Sequence, residues 1–229
     1  MNRLSNLPWK RIATVLGGLF VLFLVLCGIA YAATDVPTPN KIATDQATRV
    51  LYDDGKELGR IGRNRVIIPL SEVSKPAQHA ILAAENRDFY SEPGISPKGI
   101  ARALFSNVRA GGVSQGGSTI TQQYAKNAFL TQERTYTRKV KEVFIALKMS
   151  RTVSKDQILE NYLNTIYFGR GAYGIESASG TYFGVKAAAL TPAQAAVLAS
   201  SIRSPAAYDP KRHPERAKGR WDYVLDGMV

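Results

Sequence analysis

Residues 116–127 read GGSTITQQYAKN. A Gly-Gly-Ser turn runs into Thr119-x-x-Gln122, the reciprocal capping box that satisfies two free N–H groups at a helix start. A helix beginning here carries Gln122, Gln123 and Lys126 in its first two turns. Downstream, Ser154 to Gln157 is a second capping box, opening an Ile158, Leu159, Tyr162, Leu163, Ile166 stripe. Thr191-Pro192-Ala193-Gln194 opens a third helix, Ala-rich to about Ile202. Between these, Tyr136 to Arg151 reads as a longer helix with Val140, Phe144 and Leu147 as its core stripe. Pro214 starts a last one containing Trp221, Leu225 and Met228. Upstream, Ser74 caps a helix with Pro76 in its first turn, where a missing N–H is harmless. There Ile81, Glu85 and Phe89 recur at i, i+4, i+8, which aims Glu85 at the core or a cleft. Ser91 to Gly117 is rich in Gly and Pro, with one short helix, Ile100 to Val108, between loops. The fold class is mainly α.

The β content is small. Two β-prone runs flank Asp54-Gly55 in TRVLYDDGKELGRI and predict a hairpin, followed by an extended piece from Arg65 to Leu70. Residues 34–46 are Pro- and Thr-rich and read as a linker, so 34–65 is assigned as linker with hairpin.

Ile12 to Ala33 contains no charge and no proline. As a helix it is about 33 Å long, enough for a bilayer core. Arg3, Lys10 and Arg11 precede it and Asp35 is the first charge after it. The positive-inside rule then gives a cytoplasmic tail at 1–11, a transmembrane anchor at 12–33 and an extracytoplasmic remainder. Ala30-Tyr31-Ala32 also fits a signal-peptide cleavage site, but the apolar run is longer than a signal core, which favours a retained anchor. Cys27 is the single cysteine, so it forms no intrachain disulfide and no Cys-based metal site. Leu26 before it is too large for a lipidation site, leaving Cys27 an apolar membrane residue.

The formal net charge of +12 over 229 residues fits simple solubility or, more sharply, an anionic partner: nucleic acid, acidic lipid or a phosphorylated substrate. The carboxylates Glu85 and Glu142 lie on either side of the 116–127 turn, beside the basic residues Lys126, Arg138 and Lys139. That is an inventory for displacing a phosphate leaving group from a sugar. One carboxylate takes a proton from the attacking hydroxyl, and fixed cations hold the departing anion. Taken alone, Arg138 and Glu142 are an ordinary exposed i, i+4 helix pair, worth roughly 0.2–0.5 kcal/mol.

Five motifs occur in order: AENRDFYSEPG at 84–94, GGSTITQQYAKN at 116–127, RKVKE at 138–142, KDQILENYLN at 155–164 and LTPAQAAVLAS at 190–200. By these the stretch 66–229 resembles the peptidoglycan glycosyltransferase domain of class A bifunctional penicillin-binding proteins and of monofunctional transglycosylases. The resemblance implies a lysozyme-like helical domain with a small β-hairpin section near the membrane. It implies glycan-strand polymerisation from a lipid-linked disaccharide (lipid II), by inverting transfer with release of a polyprenyl pyrophosphate. Glu85 corresponds to the catalytic base and Glu142 to a second essential carboxylate. Lys126, Arg138 and Lys139 match the phosphate-binding positions, with Ser118, Thr119, Gln122 and Gln123 as neutral donors. No metal site is assigned; a divalent cation (Mg or Mn) beside Glu142 is left open. Glu160 and Asn164 are expected to shape the fold and cleft, and Tyr167 to Gly174 to line the donor side. The implied partners are lipid II, the growing strand, the cytoplasmic membrane and other cell-wall synthesis and division proteins, with no nucleic acid.

Two positions depart from the family pattern, which has Asp after the catalytic Glu and His seven residues after it. This chain has Asn86 and Glu92. Asn86 removes a negative charge beside Glu85, and Glu92 is expected in an exposed loop. A lytic hydrolase of similar fold and a non-enzymatic, membrane-anchored binder of anionic polymers are the rival readings. Neither explains the basic cluster beside two carboxylates as well. No Ser-x-x-Lys occurs in these 229 residues, so this stretch performs no acyl transfer by that route. Val229 interrupts the last helical pattern, as a truncated C-terminus would.

Overall fold

The computed structural model describes residues 9–35, 48–55, 57–61, 64–109, 117–130 and 135–229. Most of the 1–11 tail, most of the linker, Gly116, and the side chains of Leu104 and Val108 lie outside the described residues. The chain divides into two units, Met1–Val36 and Pro37–Val229. In the first, α1 (Trp9–Ala32) is a single helix. Its Arg11–Ala32 portion is long and apolar enough to cross a membrane, and none of it is buried in protein.

In the second unit β1 (Thr48–Leu51) and β2 (Glu57–Ile61) pair antiparallel around Gly55, as the Asp-Gly signal predicts. Among the described residues eight further α-helices follow, five of them opened by a side-chain cap. Ser74 accepts the Ala77 N–H at 3.3 Å and opens α2 (Lys75–Glu85), and α3 spans Pro97–Arg109. Thr119 and Gln122 form the full reciprocal box at the start of α4 (Ile120–Phe129). Thr135 caps α5 (Tyr136–Thr152), and Ser154 caps α6 (Lys155–Thr165). At α6 only half the expected box forms, because Gln157 turns its amide to Glu160 and Asn161 instead of the cap N–H.

The stretch YFGRGAYG, read as a site loop, forms a tight hairpin of β4 (Tyr167–Gly169) and β5 (Ala172–Tyr173). It joins β3 (Asn64–Arg65), which runs parallel to β5. Arg170 in its turn is held by both Asp209 oxygens at 2.9 and 3.1 Å and stacks 4.3 Å over Tyr182. Gly174 follows with φ +82, and a Cβ there would lie 2.9 Å from the Asn164 carbonyl oxygen, so only glycine fits. Beyond it come α7 (Ile175–Phe183), α8 (Pro192–Ile202) with its own reciprocal box, and α9 (Pro214–Asp226).

Two packed layers position the site. Ala-rich α8 lies against both α2 and α9, and its small side chains let these helices approach closely; α4 packs against α5 and α6. The predicted stripe of α6 is buried throughout, from Ile158 and Leu159 to Ile166. The predicted stripe of α5 is not. Val140 is 48% exposed, and the buried face is Glu142, Ile145, Ala146 and Met149. On α9 the buried residues are Ala217 and Val224, while Trp221 and Leu225 are half-buried and Met228 lies past the helix end. Asn164 grips the backbone of Ile68 through both ends of its amide, at 3.1 and 2.8 Å, and Glu160 accepts the Leu70 N–H at 2.8 Å. These two residues tie the 66–72 segment to α6.

Candidate active site

Glu85 is the last residue of α2, and Asn86 leaves the helix with φ −164 and ψ 84. Phe89 therefore belongs to the following turn and not to a continuous Ile81–Glu85–Phe89 stripe, although it is fully buried. A helix C-terminus exposes unsatisfied carbonyls and carries partial negative charge, an adverse place for a carboxylate. The fold answers with Arg220, which reaches from α9, donates to the Ala84 carbonyl at 2.9 Å and lies 3.9 Å from Glu85 Oε1. Sequence reading missed Arg220. Its signal was an arginine aligned with Ala217 and Val224 on the buried face of an amphipathic helix.

The other carboxylate oxygen, Oε2, accepts the Gln123 amide N–H at 2.7 Å, and Gln123 Oε1 in turn accepts the Tyr162 hydroxyl at 3.0 Å. Glu85 Oε1 is buried and has no hydrogen-bond partner among the described residues. Burial pushes the Glu85 carboxyl above its ordinary range; the Gln123 bond and the charges of Arg220, Arg203 and Lys126 pull it part of the way back. The result is a sheltered carboxylate with one oxygen pinned and the other accepting no hydrogen bond, more basic than a surface acid.

Glu142 is 2% exposed, on the core-facing side of α5. Arg138 donates to its Oε2 at 2.8 Å and Lys139 to its Oε1, so cations occupy both oxygens. Glu142 is thus a buried carboxylate between a largely sheltered Arg138 and a half-exposed Lys139, and not the exposed i, i+4 bridge that spacing alone suggests. Lys139 also donates to Ser118 at 2.9 Å, which links the start of α5 to the turn before α4. Lys126 feels the charge of both carboxylates. Burial lowers its ammonium pKa and Glu142 raises it, while Arg138 and Lys139 oppose its charge.

Of the sequence-predicted residues, Glu85 and Gln123 are brought into direct contact, and Glu142, Arg138, Lys139 and Ser118 form a second connected group beside Lys126. Thr119 and Gln122 face neither group. Their side chains are occupied by the capping box, and Thr119 Oγ1 also donates to the Gly94 carbonyl at 2.6 Å. Glu92, expected to be exposed, is 8% exposed. A divalent cation held by protein groups beside Glu142 does not fit this donor set. Both oxygens already have cationic partners, and no group of three or more His, Cys, Asp or Glu suited to a metal exists among the described residues.

The family model described as Transglycosylase matches residues 54–229. Penicillin-binding protein 1A of Mycolicibacterium smegmatis is 45% identical over 239 residues, covering 100% of this chain and 30% of its own length. Penicillin-binding protein 1A of Mycobacterium tuberculosis is 47% identical over 240 residues, covering 100% and 29%. The chain thus spans about 30% of the length of these relatives. A solved structure of penicillin-binding protein 1A from Haemophilus influenzae aligns with a TM-score of 0.44 and 22% identity, over 81% of this chain and 18% of that one. That likeness is too distant to carry any argument. The family match and the whole-chain identities do carry one: this chain belongs to the transglycosylase family, the peptidoglycan glycosyltransferase domain of class A penicillin-binding proteins.

Proposed function

We propose that this domain extends glycan strands from a lipid-linked disaccharide, with Glu85 as general base. The supporting observation is the state of the Glu85 carboxylate: Oε2 is fixed by Gln123, while Oε1 is buried, accepts no hydrogen bond among the described residues and faces Arg220 at 3.9 Å. An acceptor 4-hydroxyl would give its proton to Oε1 while its oxygen forms a bond to the anomeric carbon of the growing strand. The bond from that carbon to the pyrophosphate oxygen breaks, its electron pair leaves with the polyprenyl pyrophosphate, and the configuration inverts. Pyrophosphate is a good leaving group once its charge is matched, so the demand is for cations where charge develops. Lys126, Arg138 and Lys139 supply them, with Ser118 as a neutral partner and Glu142 holding Arg138 and Lys139 in place. No step is routed through a metal.

The placement of the N-terminal charges supports an anchor at 12–33 with a cytoplasmic N-terminus and an extracytoplasmic catalytic unit. Product analysis tests the reading. The full chain in detergent, given lipid-linked disaccharide, should yield strands that lengthen on a gel, and Glu85→Gln should yield none. Soluble fragments released from preformed glycan would instead identify a hydrolase, and no turnover of either substrate would identify a binder.

A further inference from the structure

Tyr223, on α9, is 46% exposed and takes no part in the chemistry above, yet two guanidinium groups lie over its ring. Arg220 Cζ is 4.5 Å from the ring centroid and Arg87 Cζ is 5.4 Å from it. Both arginines end on the last turn of α2. Arg87 Nε donates to the Ala83 carbonyl at 3.3 Å and Arg220 Nη2 to the Ala84 carbonyl at 2.9 Å. Cations thus meet carbonyls that the end of a helix leaves over. The end of α9 is shaped around the same cluster, since a Cβ on Gly227 would lie 2.5 Å from Arg87 Nη2.

The helix end so held carries Glu85. Arg220 Nη2 lies 3.9 Å from Glu85 Oε1, close enough for its charge to act on the carboxylate and too far for a hydrogen bond. That gap leaves Oε1 open to an acceptor hydroxyl. The bond to Ala84 fixes one nitrogen but lets the guanidinium plane turn about it. Arg220 Nε is buried and makes no hydrogen bond among the described residues, so it does not fix the plane either. The face of the Tyr223 ring does. Without the ring, a buried carboxylate oxygen that accepts no other hydrogen bond would draw the guanidinium down to bonding distance. The atom that must receive the proton would then be occupied.

We propose that Tyr223 is a positioning residue for the proposed base: its ring keeps Arg220 at a stand-off from Glu85 Oε1, close enough to lend its charge and too far to occupy the oxygen. The role belongs to the face of the ring and not to the phenol. The other charges facing Glu85 are Arg203 just after α8 and Lys126 of α4, with Tyr162 of α6 held neutral, and the test alters none of them. The proposal rests on Glu85 as the base, and Glu85→Gln measured alongside separates the two ideas.

The test uses the full chain in detergent, with polymerisation of lipid-linked disaccharide followed across pH and thermal unfolding of each variant. Tyr223→Leu alters a half-exposed site, so its unfolding temperature should fall by a few degrees at most. Its kcat at neutral pH should nevertheless fall about tenfold, with KM within about twofold. The acidic limb of its rate profile should move to lower pH, because a hydrogen-bonded guanidinium favours the ionised carboxylate. Tyr223→Phe keeps the ring and should recover both rate and limb. Arg220→Met removes the charge and should move the limb to higher pH. Adding Tyr223→Leu to Arg220→Met should then change nothing further, since no guanidinium is left to restrain. If Arg220→Met fails to fold, the leucine and phenylalanine variants decide the matter between them. Wild-type kcat or an upward-moving limb in Tyr223→Leu, a Tyr223→Phe no better than Tyr223→Leu, or additive losses in the double variant would each overturn the proposal. Substantial activity in Glu85→Gln would instead remove the base assignment on which it rests.

Discussion

The Tyr162 hydroxyl donates to Gln123 Oε1 at 3.0 Å, and this bond decides which end of the Gln123 amide faces Glu85. Tyr162 is wholly buried, and burial with the nearby Glu85 charge holds its phenol well above the ordinary range, so it stays a donor. A phenol donating to the amide oxygen leaves only the NH2 end for the carboxylate. A residue read as core packing therefore also orients the neighbour of the proposed base.

Tyr162→Phe should accordingly weaken turnover without dismantling the fold. The amide oxygen is left unsatisfied and the side chain is free to reverse, which would present oxygen to carboxylate. Loss of one such bond is worth about 1 kcal/mol, or roughly fivefold in kcat. Steady-state kinetics beside the wild type check this. An unchanged kcat would mean that Gln123 is oriented by something else.

Glu85→Gln should abolish polymerisation and leave stability equal or improved, with a defined pH signature. Burial raises the Glu85 carboxyl, so the folded chain binds that proton more tightly than the unfolded chain does. The ionised carboxylate is then a liability that grows as pH rises through the folded pKa and disappears below the ordinary value of 4.5. Thermal unfolding at about pH 8 should favour the glutamine variant or show parity, and any advantage should vanish towards about pH 4. The same raised pKa should appear as an acidic limb in the wild-type rate profile, displaced above the usual carboxylate range. A glutamine variant much less stable than wild type at neutral pH would show that the carboxylate is structural.

What was legible in the sequence was what local chemistry determines. Ser74, Thr119, Ser154 and Thr191 open their helices because a cap needs only a hydroxyl and the next three residues. The stripe of α6 was equally plain, being apolar on one face only. The face of α5 was misjudged because the true stripe contains Glu142, which is buried only by virtue of Arg138 and Lys139 beside it. Glu92 was assigned to an exposed loop because nothing local shows that three helices close over it. Arg220 acts 135 positions from Glu85 in the chain, where no spacing rule reaches. The motifs named the chemistry, but the contacts that tune it are tertiary.

Gly94→Ala should be strongly destabilising. Its φ is +85, and a Cβ there would lie 2.7 Å from Ser150 Cβ and 2.8 Å from the Ala146 carbonyl oxygen, both on α5. Backbone strain of this kind alone costs about 1–3 kcal/mol, and the overlap adds to it. A drop of several degrees in unfolding temperature is expected, together with lost polymerisation, because Thr119 is hydrogen-bonded to the Gly94 carbonyl. An unfolding temperature equal to wild type would show that the loop relaxes freely.

Helix α3 leaves Phe105 69% and Ile100 47% exposed, with Lys98, Arg102 and Arg109 also exposed. An apolar face set among cations suits the interface of an anionic membrane. A form lacking residues 1–33 should therefore still bind vesicles containing acidic lipid. Ile100→Glu with Phe105→Glu should abolish that binding in a sedimentation assay while the circular dichroism stays unchanged. Vesicle binding that survives the double change would place the membrane contact elsewhere.

The basic group separates transfer from a pyrophosphate from hydrolysis of a neutral glycan. Lys126→Ala and Arg138→Ala should each cripple turnover of the lipid-linked substrate, since a charge-assisted bond is worth roughly 1.5–3 kcal/mol, or about 10- to 150-fold. Part of the Arg138 loss would come from Glu142, which would keep only Lys139 as a partner while still buried. Arg138→Lys should recover little if the contact needs the guanidinium fork, because an ammonium cannot serve Glu142 and a phosphate in one plane. Added salt should slow the wild type less than it would slow an exposed cluster, since Arg138 and Glu142 are largely shielded from solvent. Strand length on gels, with soluble sugar release from glycan measured in parallel, reads out all four conditions. Near wild-type polymerisation by both alanine variants would end the pyrophosphate assignment.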